Sequence, residues 1–529
     1  MAQHRLFTTA EIVYMILSLL SVSECARTLT INSLFFYQGV KLVWRELAGP
    51  APLLALFCDQ TLEPLRVFGC TVTLLKTSVP ETVCPRRWKR SRIYADWVRK
   101  VTGISLLGPQ GDDIRLSGIK RLLPRAPVAP KVNVIEDTWG SPDTVDVVEV
   151  LLGPFTSTLY CRGSDAGWYP SEQLMRLLER AQAVGSNLTD LAVRTAGVSV
   201  DEADALASRI ANFQQLSSVE VSSEMLTESV LDRLRSLPDV RHFAFGIPIE
   251  IAEYPFWESF AEAEDWTGRS FPSLRSLKIT RSRCPLIVRV LSARRSLLVG
   301  LTKLEVQMFV GTPKHPTPQP PHLALLVELI VSRASRLEDL SIVCRTVGER
   351  PFVLPPPVLA LLFSLNLRRL ALHAVRLPTD LGGLALIDGK WPLLSYLAMP
   401  YQRAGPADLL RLAKREPLQH LWVDVVTPQL GGGFFISETE VESSVVPMRL
   451  ESLFEVRGAG EDAEGADEYA VETMARLLLH CWPSVCLMWR SRNYTPLEYG
   501  EPEPPEYVPL LEAVNGLRGN VQVMSLSVV

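Results

Sequence analysis

The amino-acid sequence predicts an α/β solenoid of strand-helix units, each about 29 residues long, preceded by a small all-α domain. Three observations lead to this prediction. A spaced apolar motif recurs along residues 101–497, helix-length amphipathic segments separate its copies, and residues 5–47 carry a denser apolar pattern. Residues 48–100 are then expected to be a helical linker, and residues 498–529 a loosely packed tail.

The repeated motif has apolar residues at positions i, i+3 and i+5, and the last two match the two-residue period of a strand. Its copies begin at Leu188, Leu216, Val240, Leu274, Leu301, Leu337, Leu367, Leu394 and Leu418. Eight steps separate the first copy from the last, which gives a mean period of about 29 residues. Weaker copies flank the series at Val101, Met448 and Trp482.

Segments with apolar residues three and four positions apart lie between the copies and predict helices. They are Asp201–Ile210, Met225–Leu234, Leu323–Ser332, Val358–Leu365 and Ala407–Ala413. Prolines stand at the start of several segments, where a missing N–H costs a helix no hydrogen bond. One strand and one helix cannot bury their own apolar face, so neighbouring units are expected to share a continuous core.

This strand-helix unit resembles the leucine-rich-repeat family in its irregular, long-unit form. The resemblance implies that the variable residues around each strand's apolar pair line a concave face that binds a target protein. Those residues are Lys278, Glu305, Asp339, Arg369, His373, Tyr396, His420, Trp422 and Asp424. Exposed Trp, Tyr and Arg dominate protein–protein binding energies. Trp422 is therefore the strongest anchor candidate, unless it packs against the loop of the next repeat.

Residues 5–47 contain more apolar surface than a unit of this size can bury alone. Ile12, Ile16 and Leu20 mark one helical face, but apolar residues also fill the other faces, and a second apolar stretch follows at Leu29–Leu47. A helix that is apolar on nearly every side is buried in its own domain or against a partner. We therefore expect a partner protein to cover the remaining apolar surface of this segment.

The same residues resemble the F-box, a three-helix module that binds the Skp adaptor of cullin ubiquitin ligases. The resemblance rests on Glu11-Ile12-Val13 and Trp44-Arg45-Glu46-Leu47, and segments 52–57 and 88–106 resemble those that follow the F-box in many fungal proteins. It implies adaptor contacts through Ile12, Val13, Ile16, Leu17, Leu20, Ile31, Phe35 and Trp44. The chain departs from the family pattern at Ala10 and Asn32-Ser33.

Together the two resemblances imply the substrate-recognition subunit of a Skp-cullin-F-box ubiquitin ligase, whose target the sequence does not identify. The alternative is a repeat scaffold that binds a partner without recruiting a ligase. Residues 5–47 would then serve mainly as a cap on the apolar end of the solenoid.

Composition narrows the other possibilities. A net charge of -4 and a pI near 6.1 argue against general affinity for nucleic acid or an anionic membrane. Nine irregularly spaced cysteines favour reduced thiols, and hence an intracellular protein of the cytoplasm or nucleus. The apolar run Ile12–Leu20 is the one candidate signal peptide, and Glu11 directly before it disfavours that interpretation.

No catalytic motif is found, so we predict neither enzyme activity nor a cofactor. His480, Cys481 and Cys486 lack the spacing and the second ligand pair of a metal site. The basic run 86–92 is interleaved with aromatic residues and could contact phosphate. A solvated helix face with aromatic anchors is the simpler interpretation.

Overall fold

The chain divides into two compact units. The N-terminal unit comprises Met1–Phe245 and Phe271–Ser273, and the C-terminal unit comprises Gly246–Ser270 and Leu274–Val529. The computed structural model describes residues 9–50, 52–53, 56, 63–67, 70–74, 85–103, 128–137, 144–162, 169–195, 197–246, 271–310, 320–346, 352–378, 383–387, 389–413, 417–425, 452–455 and 486–489.

The N-terminal unit begins with three helices and continues as alternating strands and helices. Its described helices are α1 (Ala10–Ser18), α2 (Val22–Thr28), α3 (Ser33–Val43), α4 (Pro85–Ala95), α5 (Thr144–Leu151), α6 (Ser171–Ala183), α7 (Val200–Ala211) and α8 (Glu228–Leu234). Its described strands are β1 (Glu46–Leu47), β2 (Glu63–Val67), β3 (Cys70–Leu74), β4 (Lys100–Thr102), β5 (Val134–Asp137), β6 (Thr158–Cys161), β7 (Asp190–Val193), β8 (Ser218–Val221) and β9 (His242–Gly246). A parallel sheet runs in the order β1-β4-β5-β6-β7-β8-β9.

The C-terminal unit repeats the same alternation. Its described helices are α9 (Cys284–Ala293), α10 (Pro320–Arg333), α11 (Pro356–Leu362) and α12 (Pro406–Ala413). Its described strands are β10 (Ser276–Arg283), β11 (Lys303–Val310), β12 (Asp339–Thr346), β13 (Phe352–Val353), β14 (Arg369–His373), β15 (Val375–Arg376), β16 (Tyr396–Ala404), β17 (His420–Val425), β18 (Ser452–Glu455) and β19 (Cys486–Trp489). A parallel sheet runs in the order β10-β11-β12-β14-β16-β17-β18-β19, and β13 and β15 form a separate pair.

The pairing register follows the repeated motif. The middle apolar residue of one copy lies beside that of the next, in the series Leu277, Leu304, Leu340, Leu370, Leu397 and Leu421. All nine predicted copies form strands, and the helices of successive units pack side by side, as α6 does on α7 and α9 on α10. The prediction of an α/β chain with parallel strands alternating with helices is therefore confirmed.

Two further strands, β5 and β6, escaped the motif search because polar residues occupy their motif positions. Asp137 ends β5 with a fully buried side chain, whose carboxylate accepts hydrogen bonds from the Thr144 hydroxyl (2.7 Å) and the Tyr169 hydroxyl. Buried Thr156, before β6, accepts a hydrogen bond from the Gly153 N–H (3.1 Å). A polar side chain can replace a core leucine when its hydrogen bonds are made inside the protein.

The segment predicted as a helical linker, residues 48–100, needs correction because it is only partly helical. Strands β2 and β3 form an antiparallel hairpin there, and only α4 forms a long helix among its described residues. The β-branched residues Val67, Thr71, Val72 and Thr73 favour extended backbone.

Helices α1 to α3 form a small helical module with its own core. Val13, Leu17, Cys25 and Phe35 are buried together, and Leu20, Leu34, Leu42 and Val43 pack against them. A Cβ atom at Gly39 would collide with the Leu29 side chain, so α3 approaches the α2 end as closely as glycine permits. Both α1 and α2 pack against α3.

The helical module is joined to the N-terminal sheet by strand pairing and by aromatic contacts. Strand β1, which follows α3 directly, pairs in parallel with β4. The Trp44 ring lies 4.9 Å from the Tyr94 ring of α4, and the Lys41 ammonium lies 5.0 Å from the Trp97 ring centre. Glu46–Leu47 therefore belongs to the sheet rather than to the helical domain predicted for residues 5–47.

Among the helices that the structure describes, none combines the length and the apolarity required to cross a lipid bilayer.

Candidate interaction faces of the two sheets

Each parallel sheet has one face covered by helices and one face that carries polar and aromatic side chains. Along β8, Val219 and Val221 are buried, whereas Ser218 and Glu220 are half-buried. Helices such as α5 and α9 contact the strands of their own units. Because side chains alternate along a strand, every second residue points away from the helices. We call this side of each sheet the strand face.

On the N-terminal strand face, one carboxylate binds two arginines. Glu220 Oε2 lies 3.0 Å from Arg162 Nη2, and Glu220 Oε1 accepts hydrogen bonds from Arg194 Nη2 (2.6 Å) and Arg194 Nε (3.0 Å). The guanidinium of Arg162 also lies 4.5 Å from the centre of the Tyr160 ring and 3.8 Å from Glu136. These side chains are mostly withdrawn from solvent: Glu220 is 20% exposed, Arg194 29% and Arg162 35%.

The electrostatics of this cluster show that the pairing outweighs the cost of burial. Burial raises the pKa of Glu220, but the charges and hydrogen bonds of Arg194 and Arg162 outweigh it, so this pKa lies below its usual value. Burial, assisted by the negative charge of Asp190, raises the pKa of Tyr160. Glu220 therefore stays ionised and Tyr160 stays neutral at physiological pH.

On the C-terminal strand face, the side chains form three rows that cross the strands. The first row is Lys303, Asp339, Arg369, Tyr396 and His420. The middle row is Glu305, Ser341, Ala371, Ala398 and Trp422. The third row is Gln307, Val343 and His373.

The first row is held by charge and aromatic contacts. Asp339 Oδ2 lies 3.6 Å from Lys303 Nζ and 3.5 Å from Arg369 Nε. Arg369 places its guanidinium 4.3 Å from the centre of the Tyr396 ring, and that ring lies 5.9 Å from the His420 ring. Asp339 is 22% exposed, but Lys303 and Arg369 are 50% and 51% exposed, so the charge presented to solvent on this row is positive.

Trp422 lies toward one end of the middle row, which the register continues to Phe454 of β18. Its ring meets the His373 ring edge to face at 5.0 Å, although their strands β17 and β14 are separated by β16. The intervening Ala398 is fully buried, as expected if the indole lies across it. At the other end, Glu305 is neutralised by Lys278 (2.9 Å) and accepts a hydrogen bond from Gln307 (2.7 Å).

The structure brings eight of the nine residues predicted for target binding to this one face. Lys278, Glu305, Asp339, Arg369, His373, Tyr396, His420 and Trp422 all lie on it. The backbone of Asp424 pairs with Arg403 beyond an irregularity in β16, and its side chain lies outside the described residues. The predicted role of these residues in binding stays a prediction.

Sequence reasoning missed the N-terminal strand face. Glu136, Tyr160, Arg162, Arg194 and Glu220 were not chosen because the register was applied only from the fourth strong copy onward. The copies at Leu188 and Leu216 contained the signal for Arg194 and Glu220. Glu136, Tyr160 and Arg162 follow from β5 and β6, which the motif search missed.

The residues predicted for adaptor binding separate into two groups in the helical module. Val13, Leu17 and Phe35 lie in its interior, which gives them a structural role. Ile16 and Ile31 are exposed, and Ile12, Leu20 and Trp44 are partly exposed. Direct contact with the adaptor therefore remains a prediction for the five residues that are at least partly exposed.

The most exposed apolar residues of the helical module were not singled out from the sequence. Leu19 is 86% exposed, and Met15, Val22 and Tyr37 are also well exposed. Leu19 and Val22 lie at the turn between α1 and α2, close in the chain to exposed Met15. The sequence did contain a sign of this exposure. The first helix is apolar on nearly every side, and a helix that buries only one face leaves its other apolar residues in solvent.

The aromatic residues that follow the basic run contact the helical module. Tyr94 packs on Trp44, and Trp97 lies beside Lys41. These contacts agree with their interpretation as aromatic anchors.

The candidate metal ligands His480 and Cys481 lie outside the described residues, and the side chain of Cys486 is likewise not described. Within the described part of the chain, no group of three or more His, Cys, Asp or Glu side chains is placed to hold a metal ion.

Comparison with known proteins assigns no family. No protein-family model matches the chain, and no curated protein matches its sequence.

Proposed function

We propose that this chain is a substrate receptor of a Skp-cullin ubiquitin ligase. Its helical module would bind the Skp adaptor, and the C-terminal strand face would bind the target protein. The observation that carries the proposal is the exposed apolar surface of the helical module. Met15, Leu19, Val22 and Ile31 remain in solvent although the module already has a packed core of its own.

Contiguous exposed apolar surface marks interaction sites, and Met15, Leu19 and Val22 lie close together in the chain around the turn between α1 and α2. Burying a large apolar side chain contributes about 1.5–3 kcal/mol. A few such residues therefore supply enough free energy for specific binding to an apolar partner. The resemblance of residues 5–47 to the F-box favours the Skp adaptor as that partner.

The junction between the helical module and the N-terminal sheet suits this role. Pairing of β1 with β4 and the contact between Trp44 and Tyr94 hold the module against the sheet rather than on a free linker. A receptor raises the effective concentration of its target at the ligase, and a short, stiff connection keeps that concentration high. The chain would supply no catalytic group of its own.

The test is co-purification of the full-length chain with a Skp adaptor. We expect Ile16→Asp combined with Ile31→Asp to abolish co-purification, because both side chains are exposed and charges there would oppose an apolar interface. The matched control is Leu393→Asp, which places the same charge on an exposed apolar residue of the C-terminal unit. Equal recovery of adaptor by the double variant and the unaltered chain would eliminate the adaptor assignment.

The second candidate is a repeat scaffold that binds its partner without a ligase. The observation in its favour is that β1 forms the first described strand of the N-terminal sheet, so the helical module also covers that end. A scaffold of this kind would capture a target through the C-terminal strand face and would show no adaptor in the same pulldown.

A further inference from the structure

Small side chains lie between larger ones in the middle row of the C-terminal strand face, and we call the stretch from Glu305 to Trp422 the trough. Its floor is Ser341 and Ala371, two small residues on the adjacent strands β12 and β14. The Trp422 indole and its neighbour His373 close one end, and Glu305 closes the other. Small residues between large ones on neighbouring strands leave space that a ligand can enter.

The dimensions of the trough favour an extended ligand. The first and third rows are four residues apart along each strand, which places their Cα atoms about 13 Å from each other. Side-chain atoms of both rows narrow this gap, and a helix with its side chains measures about 10–12 Å across. An extended chain is thinner, and the two floor strands together accommodate about three extended residues.

The first row forms one wall of the trough, and its exposed positive charge favours an anionic ligand. Lys303 and Arg369 are half exposed, whereas Asp339 between them is largely covered. The contacts of Asp339 with both cations, at 3.5 and 3.6 Å, are longer than a short charge-assisted hydrogen bond. Arg369 therefore keeps donors for a second acceptor while Tyr396 supports its guanidinium plane.

The two ends of the trough differ. Glu305 is neutralised by Lys278, so it adds little net repulsion toward an anion. The rings of Trp422 and His373 offer an apolar wall at the other end. A ligand with an acidic group beside Arg369 and an apolar side chain toward Trp422 would complement both features.

We infer that the trough binds an extended acidic segment of the target protein, with an Asp or Glu carboxylate on Arg369, small residues over Ser341 and Ala371, and an apolar residue against Trp422. This inference rests on the proposed function, since it names the class of target segment that the receptor recognises. The carboxylate would accept hydrogen bonds from the Arg369 guanidinium in the two-pronged geometry that arginine favours.

The test uses the full-length chain and four fluorescent peptides of about seven residues. The peptides share flanking Gly and Ala residues and a terminal Leu, and their central residue is Glu, Gln, Lys or phosphoserine. We expect fluorescence anisotropy to show the Glu peptide binding at least about tenfold more tightly than the Gln and Lys peptides. Arg369→Glu should remove this preference and improve binding of the Lys peptide.

Two further variants test whether binding depends on the trough itself or only on the positive charge of the surface. Ala371→Trp should fill the floor and weaken the Glu peptide by about tenfold or more, with circular dichroism confirming that the variant folds. Arg368→Glu is the matched control, because Arg368 precedes the strand, is exposed and pairs with Glu338 off the strand face. It should leave binding unchanged.

Several results would overturn the inference. They are equal binding of the Glu and Lys peptides, equal losses in Arg368→Glu and Arg369→Glu, binding of the phosphoserine peptide alone, or Arg369-dependent binding of a single-stranded oligonucleotide in place of the peptide. Failure of the Glu peptide with adaptor co-purification intact rejects the trough alone. Peptide binding without adaptor co-purification supports the trough and rejects the ligase assignment.

Discussion

Glu220 on the N-terminal strand face and Asp339 on the C-terminal strand face each contact two cationic side chains, but at different distances and with different exposure of the cations. Each carboxylate is about one-fifth exposed. Glu220 contacts two arginines at 2.6 and 3.0 Å, and both arginines are largely covered. Asp339 contacts Lys303 and Arg369 at 3.6 and 3.5 Å, and both cations are half exposed.

Under the proposed function, this difference distinguishes a structural cluster from one that binds a target. The donors around Glu220 are committed to it, since Arg194 alone gives it two hydrogen bonds. Around Asp339 the cations are held loosely enough to accept another partner, and aromatic rings of Tyr396 and Trp422 lie on the same face. Removing one partner of a closely paired, mostly covered cluster destabilises the fold, whereas exposed and loosely paired cations beside aromatic rings are of the residue types that dominate binding surfaces.

The largest expected effect comes from removing the two carboxylates in turn. Glu220→Ala removes the carboxylate that pairs with Arg194, and it leaves Arg162 with only the longer contact to Glu136, at 3.8 Å. It should lower the free energy of unfolding of the N-terminal strands by about 2 kcal/mol, below the range for a fully buried pair because the cluster is partly exposed. Asp339→Ala should cost the C-terminal strands less than about 1 kcal/mol, because its cations can turn to solvent.

Amide hydrogen exchange in the full-length chain measures both losses strand by strand. Peptides covering Thr158–Val221 report on the first change, and peptides covering Lys303–His373 report on the second. Similar losses in the two variants would contradict the distinction between a committed and an available cluster.

Acid should destabilise the Glu220 cluster less than Glu220→Ala does, because protonation removes the charge of Glu220 but keeps its side chain. The charges and hydrogen bonds of Arg194 and Arg162 hold the pKa of Glu220 in the folded protein below the ordinary glutamate value of 4.5, so its stabilisation is fully present above that pH. The stabilisation is lost as pH falls from 4.5 through the lowered pKa.

The measurement is exchange protection of β6 to β8 as a function of pH, corrected for the intrinsic rate. Glu220→Gln should flatten the acid limb relative to the unaltered chain. This difference isolates Glu220 from Glu202, whose pKa is also lowered, first by its hydrogen bond with Ser171. An unchanged acid limb in Glu220→Gln would show that other carboxylates control it.

The two faces were not equally predictable from the sequence. The strands of the C-terminal face follow an apolar motif without interruption, so the register located Arg369, Tyr396 and Trp422 on one surface. The N-terminal face depends on β5 and β6, where Asp137 and Thr156 replace apolar residues. Their hydrogen bonds join residues distant in sequence, and no local pattern reports such pairing.

The helical module was likewise predictable from the sequence only in part. Its apolar excess was evident from composition, and its helices follow from helical spacing and from caps such as Asn32, which accepts a hydrogen bond from the Phe35 N–H. Which apolar residues lie inside depends on how three helices pack. Val13 and Leu17 are internal, whereas Met15 and Leu19 face solvent.

The smallest expected effect concerns the tyrosines that lie against an arginine on each face. Tyr160 contacts Arg162 at 4.5 Å, and Tyr396 contacts Arg369 at 4.3 Å. Tyr160→Leu should leave Arg162 in place because Glu220 still holds it. Tyr396→Leu should release Arg369, since the ring supplies much of its restraint, and a cation–π contact at an exposed site contributes about 0.5–1 kcal/mol. We therefore expect the Glu peptide to bind about threefold more weakly to Tyr396→Leu and with unchanged affinity to Tyr160→Leu. Equal affinities in the two variants would mean that Arg369 is already fixed by Asp339, and the contrast between the two carboxylates would then lose its functional meaning.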